Sequence, residues 1–412
     1  MKTNHYDLII IGAGAAGIMA AITAASEGKK VLLLEKLSKI ATKLKATGGG
    51  KCNLTNTLSN EEFISRFGRG GRFMRDALYL FDNKQLISFM DKIGVATHAP
   101  DGFRIFPTSH ASSTIISGLQ KEMQRVGVKI ITDQRVERLL LIASNIDGVK
   151  TQDSLYKAKH VIVATGGLGY PVLGAEGDGY TLAEELGHKI TELSPAMMPL
   201  KTEEKWTECR ADTVSKVELR VALPKYKKLR AMGDLIFTSN GIRGPVVLDF
   251  AREITPLLSK YGTVPIVANL TKGMNENDIL QHFKKEKAKN PHASIEESLL
   301  PILASSIIHK LCQSISVDSS MQFHKIEGKS RNLLIKILAS TPLTITGHEG
   351  FKMAMITRGG ISLKKIDPKT MQSKLIKGLY FCGEVMDIDG PCGGFNLQWS
   401  FASGYLAGKL LQ

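Results

Sequence analysis

Residues 6–12, YDLIIIG, form an apolar run of strand length that ends in Gly12-Ala13-Gly14-Ala15-Ala16-Gly17. An alanine-rich stretch suited to a helix follows to Ser26, and a second apolar run, Val31 to Leu34, ends at Glu35, 23 residues after Gly12. Strand, GxGxxG turn, helix, strand and acid are the opening of a doubly wound α/β sheet, and each residue type has a physical task. Gly12 makes the tight turn, Gly14 lets backbone approach a pyrophosphate, and Gly17 lets helix and strand pack closely. The amides at the helix start, Ala15 and Ala16 among them, face the phosphates, and Glu35 accepts from ribose hydroxyls. The pattern predicts dinucleotide binding.

Three later segments bear on which dinucleotide is held. A helix-like stretch, Ser112–Arg125, and a short strand, Val128–Ile131, precede a strand-like run from Arg135 to Ile142 that contains Val136. The apolar strand His160–Ala164 runs into Thr165-Gly166-Gly167. Near the C-terminus, Gly378–Cys382 is a further strand running into Gly383-Glu384, with an apolar helix from about Asn396. A simple nicotinamide domain has no need for its last thirty residues to return to the sheet. This order favours FAD. No second GxGxxG follows a strand, so NAD(P)H, if it is the electron donor, is expected at the flavin face.

In order along nearly the whole chain stand IIIGAGAAG (9–17), ATGGGKCNLTN (46–56), VIVATGGLGYPVLGAEGDGY (161–180), FTSNGIRGP (237–245), TRGGISLKKIDPKTMQSK (357–374) and GLYFCGEVMDIDGPCGGFNLQWSFASG (378–404). With these motifs the sequence resembles the HI0933-like flavoprotein family, which includes a bile-acid reductase, an aminoacetone oxidase and a ribosomal-RNA dihydrouridine synthase. The resemblance implies a discontinuous Rossmann-like FAD domain, residues 1–190 and 346–412, interrupted by an insert at 191–345. The residues support the same cut. From 191 to 272 the βα rhythm gives way to β-rich segments (VELRVALP, DLIFT, PVVLDF, VPIVANL), and 273–345 reads as helical. Within that helical part, Ser294 and Glu297 form a capping box ahead of SLLPILASSIIHKLC.

Carried over by motif, Gly49, Gly50, Lys51, Cys52 and Asn53 pass close to the flavin. Lys36, Lys43 and Lys51 supply positive charge, and Asn53 offers a donor and an acceptor to a ring edge. Val136, Ala164, Thr165, Gly166, Gly383 and Glu384 join the cofactor set. So do Gly393, Gly394, Phe395, Asn396 and Leu397, where a helix N-terminus would face the flavin. Cys392 and Cys52 are the candidate catalytic residues, Cys392 as the acid that protonates carbon after hydride transfer. A small packed cysteine in a tight loop is the structural alternative for each.

Composition narrows the remaining choices. The 412 residues include five cysteines without CxxC spacing, so reduced thiols are expected and a metal site is not. No run of eighteen apolar residues exists, and MKTNHYDLIII enters a strand without a cleavable signal pattern, which predicts a cytoplasmic protein. The formal net charge is +15. Both proposed domains are basic, but residues 36–75 hold nine basic residues against Glu61 and Glu62. Arg66, Arg69, Arg72 and Arg75 interleave with Gly and Phe, a pattern that pairs with phosphates and stacks on bases. A second tract, Lys225, Lys227, Lys228 and Arg230, is placed at a hairpin tip. Three readings stay open: a flavin reductase acting on ribosomal RNA, a small-molecule flavoenzyme (amine or aminoketone oxidase, or enone reductase), and a flavin-bearing RNA-binding factor without turnover.

Overall fold

The computed structural model describes residues 4–209 and 211–411. The chain divides into two compact units, one of residues 1–194 with 356–412 and one of residues 195–355.

The first unit is built on a sheet. β1 (Asn4–Ile11) leads into α1 (Ala15–Ser26) and then β2 (Val31–Leu34). Glycine and alanine make α1 apolar on every side, and residues 15 to 24 are all buried, as in a helix covered on both faces. Next come α2 (Gly71–Leu80), α3 (Ser112–Arg125), β3 (Lys129–Ile131), β4 (Val136–Ile142), β5 (Asn145–Thr151), β6 (Leu155–Val163) and α4 (Asp178–Glu184). The sheet order is β3-β2-β1-β6-β5-β4. β1 pairs in parallel with β2 and β6, whereas β5 pairs antiparallel with β4 and β6. The parallel strands β1 and β2 are covered on both faces, which explains their unbroken Ile and Leu runs.

The second unit is a closed barrel with helices. Its strands are β7 (Leu200–Thr202), β8 (Thr213–Val221), β9 (Arg230–Thr238), β10 (Gly241–Arg243), β11 (Val264–Asn269) and β12 (Thr341–His348). Between β10 and β11 lies α5 (Pro245–Tyr261). The PVVLDF segment, expected as a strand, is the first part of this helix. Pro245 takes the first helical position, and the buried residues Val246, Val247, Phe250, Ala251, Ile254, Leu257 and Leu258 recur every three or four positions. The helical stretch after 273 ends in β12, so the strand that closes the barrel lies beyond it. The Ser294 capping box is present, but its helix covers only Ile295–Leu299, and a second helix spans Ser305–Ser314. Pro301 falls in the break between them.

The chain then returns to the first unit. β13 (Leu379–Phe381) joins the sheet in parallel beside Val161–Val163 of β6, and α6 (Phe395–Gly408) packs along α1. A Cβ on Gly404 would lie 2.3 Å from the Ala16 carbonyl oxygen, and one on Gly408 would lie 2.6 Å from that of Ala20. Because 404 meets 16 and 408 meets 20, the two helices run in the same direction.

Candidate functional site

At the end of β1 the backbone is too crowded for side chains. Gly12 has φ of 100°, and a Cβ on Gly17 would lie 2.0 Å from the Gly12 carbonyl oxygen. Gly14 differs, because a Cβ there would meet no atom within 4 Å, so its face is open. Glu35 holds the turn from below, accepting from the Ala13 amide through Oε2 and from the Leu37 amide through Oε1, both at 2.9 Å. The first amide to find an α1 partner is that of Ile18, bonded to the Gly14 carbonyl. The amides of Ala15, Ala16 and Gly17 therefore have no intrahelical acceptor and present a site for an anion. Beside them, Ala164 donates to the Ile11 carbonyl at the end of β6. The buried Thr165 hydroxyl has no hydrogen-bond partner among the described residues, and Gly166 has φ of 72°.

The Gly383-Glu384 turn stands beside the start of α1 and against the second half of α6. Gly383 donates to Ser403 Oγ, and a Cβ on it would lie 2.8 Å from Ala16 Cβ. Glu384 accepts from the Thr357 amide through Oε1 and pairs with Lys43 Nζ through Oε2 at 2.8 Å. Thr357 Oγ1 in turn accepts from the Leu168 amide. Lys43 thus reaches the site through a carboxylate, which its motif position alone does not reveal. Tyr180 is buried nearby, and burial pushes its phenol up, so it stays neutral.

The third part is the N-terminus of α6. Counting from the Ala16–Gly404 contact, this terminus lies eight residues further than the α1 terminus, about 12 Å along the common direction. Asn396 closes the preceding loop, accepting from the Gly390 amide and donating to the Gly390 and Pro391 carbonyls. Asn56 donates to the Gly393 carbonyl, and a Cβ on Gly394 would lie 2.5 Å from the Thr55 backbone. Phe395 packs among Phe63, Phe67 and Phe103. Leu397 is half-buried one residue after Asn396.

Several expected roles change. The Asn53 amide faces protein backbone: in the orientation that satisfies its neighbours it donates to the Thr55 and Ile105 carbonyls and accepts from the Gly394 amide. It ties the 48–53 loop to the α6 loop. Cys52 is completely buried with φ of 59°, and burial pushes its thiol up to about 12. It is a packing residue and cannot meet a substrate. Cys392 is exposed on the loop before α6 and forms no disulfide. Lys36 is not directed at a phosphate but bonds Glu176 and Asp178. Gly49 and Gly50, with φ of 66° and 88°, have open faces, and Lys51 beside them is exposed. Val136, at the start of β4, is buried opposite Thr151.

Arg66, Arg69, Arg72 and Arg75 are all exposed, and the charge of Arg75 helps hold the Glu61 carboxyl below its ordinary value, after the hydrogen bond from Tyr79. Arg75 lies over the Tyr79 ring. The interleaved phenylalanines turn inward, however: Phe67 packs on Phe395 and Phe73 on Trp399. They anchor the basic segment, Phe67 buried and Phe73 half-buried. A Cβ on Gly390 would lie 2.4 Å from Phe67, so the arginines ride on a segment pressed against the α6 loop. Lys225, Lys227, Lys228 and Arg230 are exposed at the β8–β9 connection of the second unit, where Arg230 lies 3.7 Å from Glu218.

An open glycine face at one helix N-terminus, a carboxylate turn beside it and a second helix N-terminus about 12 Å further on fit an elongated dinucleotide with a flat head group. Comparison with known proteins decides the family: a model described as "HI0933-like protein Rossmann domain" matches residues 6–410. The chain belongs to the HI0933-like family. A 3-dehydro-bile acid delta(4,6)-reductase of Clostridium scindens is 32% identical over 402 residues, covering 97% of each chain. A ribosomal RNA dihydrouridine synthase of Haemophilus influenzae is 29% identical over 408 residues, covering 98% of each. Among solved structures, a 3-ketosteroid-delta4-(5alpha)-dehydrogenase of Rhodococcus jostii RHA1 shares the fold, with TM-score 0.53 at 15% identity over 98% of this chain and 96% of that one. Like its family, this chain is an FAD-dependent oxidoreductase. No helix among the described residues is long and apolar enough to cross a membrane.

Proposed function

We propose that this HI0933-like protein reduces a uracil ring in ribosomal RNA to dihydrouridine. FAD is held along the line from the α1 amides to the α6 amides, with Glu35 at its ribose end and Glu384 midway. When bound and reduced, FAD supplies a hydride. An activated C=C bond conjugated to a carbonyl takes that hydride at its far carbon and a proton at the near one, here C6 and C5 of uracil. Cys392, exposed on the loop that opens α6, is the residue that delivers the proton from Sγ. The α6 amides stabilise negative charge at the far end of the site. NAD(P)H restores the two electrons, entering from the same face because the chain carries no second GxGxxG after a strand.

The observation that carries the substrate is the exposed arginine row 66–75 on a segment seated against the α6 loop. A polyanion laid on these four cations is brought to the end of the site where carbon is reduced. Deleting the gene tests the reading. Dihydrouridine should disappear from the ribosomal RNA, return with the wild-type gene, and not return with a variant in which the four arginines are glutamates. Unchanged dihydrouridine in the deletion strain contradicts it.

A second reading rests on the 32% identical bile-acid reductase. An enone presents the same kind of bond as uracil, so the chemistry carries over and only the substrate differs. Under that reading a steroid enone reoxidises the reduced enzyme and RNA does not.

A further inference from the structure

Four charged side chains meet from three separate stretches of the first unit. Lys36 follows β2, Arg135 precedes β4, and Glu176 and Asp178 belong to the segment between β6 and the first turn of α4. Lys36 Nζ lies 2.8 Å from Glu176 Oε2 and 2.7 Å from Asp178 Oδ2. Arg135 pairs with Asp178 and sits 3.6 Å from Glu176. Two cations and two carboxylates cancel. The side chains of Lys36 and Asp178 are only 15% and 14% exposed, so water screens their attraction less than that of the outer pair. The same segment is pressed onto the turn after β2, since a Cβ on Gly174 would lie 2.9 Å from Leu37 Cδ1. At its start the Leu168 amide bonds Thr357 Oγ1, and Ala175 is buried, but between them one short turn, Pro171–Leu173, leaves Val172 81% exposed.

We infer that this cluster is a clasp that fastens residues 168–178 across the ribose end of the dinucleotide site, so that Glu176 and Asp178 slow the release of FAD. The placement follows from the chain, because each clasp cation adjoins a cofactor position, Lys36 next to Glu35 and Arg135 next to Val136. The four side chains act on retention through the segment they hold, and they are positioning residues, not catalytic ones. The inference rests on FAD occupying this site and not on the identity of the substrate.

The test is FAD release from the holoenzyme, followed as the rise in flavin fluorescence after dilution, without substrate. Glu176→Gln should release FAD about three- to tenfold faster than wild type at low salt, the range a partly buried pair supports. The difference should shrink in 1 M NaCl, where the Debye length is about 3 Å. Glu176→Asp, which keeps the carboxylate, should release FAD more slowly than Glu176→Gln at low salt, and the two should converge in 1 M NaCl, which a merely structural role for the residue would not produce. FMN, which lacks the adenosine half, should bind wild type and Glu176→Gln equally. Release at the wild-type rate from Glu176→Gln would overturn the clasp, as would wild-type release that ignores salt. If Glu176→Gln does not fold, Glu176→Asp and the salt dependence of wild type still decide. Failure of RNA reduction would leave these rates untouched, so the two results are separable.

Discussion

At the scale of single residues, the two cysteines placed near the flavin by motif separate cleanly. Cys52 is enclosed and its thiol is raised to about 12, while Cys392 is exposed. Cys209, Cys312 and Cys382 are also buried, and burial raises each of them. A stoichiometric maleimide at pH 7.5 should therefore label Cys392 alone in the folded protein, read by peptide mass. Labelling of Cys52 first would contradict the packing. Cys392→Ala should retain FAD and hydride acceptance yet lose product formation by about 10² to 10⁴, the usual contribution of a positioned acid. The glycine turn gives a sharper structural test. Gly17→Ala puts a methyl within 2.0 Å of the Gly12 carbonyl oxygen, so α1 must move off the turn. The purified variant should lack FAD, measured as the ratio of flavin to protein absorbance. A full complement of flavin would mean that the turn does not hold the phosphates.

At the scale of elements, the parts legible in the sequence are those whose signals are local. β1, α1 and β2 follow from an apolar run, a glycine turn and an alanine stretch within thirty residues. The start of α6 follows from a glycine loop ahead of an apolar helix. α5 was not legible, because six residues such as PVVLDF satisfy both a strand and a helix, and only the recurrence out to Leu258 decides. The aromatic residues of the 66–75 segment were misplaced for a similar reason. Alternation with arginine does not say which ring finds a core, and Phe67 and Phe73 find Phe395 and Trp399. Contacts between distant positions were beyond reach altogether. Lys36 meets Glu176 and Lys43 meets Glu384, pairs separated by 140 and 341 residues. The arginine segment also carries an element-scale prediction. Each arginine that neutralises a phosphate should contribute about 0.7 to the slope of log affinity against log salt on single-stranded RNA. Reversing one arginine should lower that slope by a similar amount while leaving the flavin spectrum unchanged. A slope near zero in wild type would mean that the row is only a solvated face.

At the scale of the whole molecule, stability should carry a pH signature in both units. Burial holds His160 and His188 of the first unit and His348 of the second below the ordinary value of 6.5. Each is favoured neutral in the folded chain, whereas the unfolded chain takes up protons as the pH falls through about 6.5. Their contribution is therefore complete above that pH and is lost below it. The thermal midpoint should stay level from pH 8 to 7 and decline between pH 6.5 and 5. A midpoint that rises over that window would contradict the assignment. The net charge of +15 takes on a local meaning at this scale. The cations near the dinucleotide site divide into those already matched by carboxylates, Lys36, Lys43 and Arg135, and the exposed row at the α6 loop. Under the proposed function, that division is what would bring an RNA substrate to a redox site of the HI0933-like family. It is tested most directly by single turnover without oxygen: enzyme with its flavin fully reduced, mixed with ribosomal RNA from the deletion strain. The account predicts one dihydrouridine formed per flavin reoxidised, with excess salt abolishing both. Flavin that stays reduced with that RNA, and is reoxidised by a steroid enone, would contradict it.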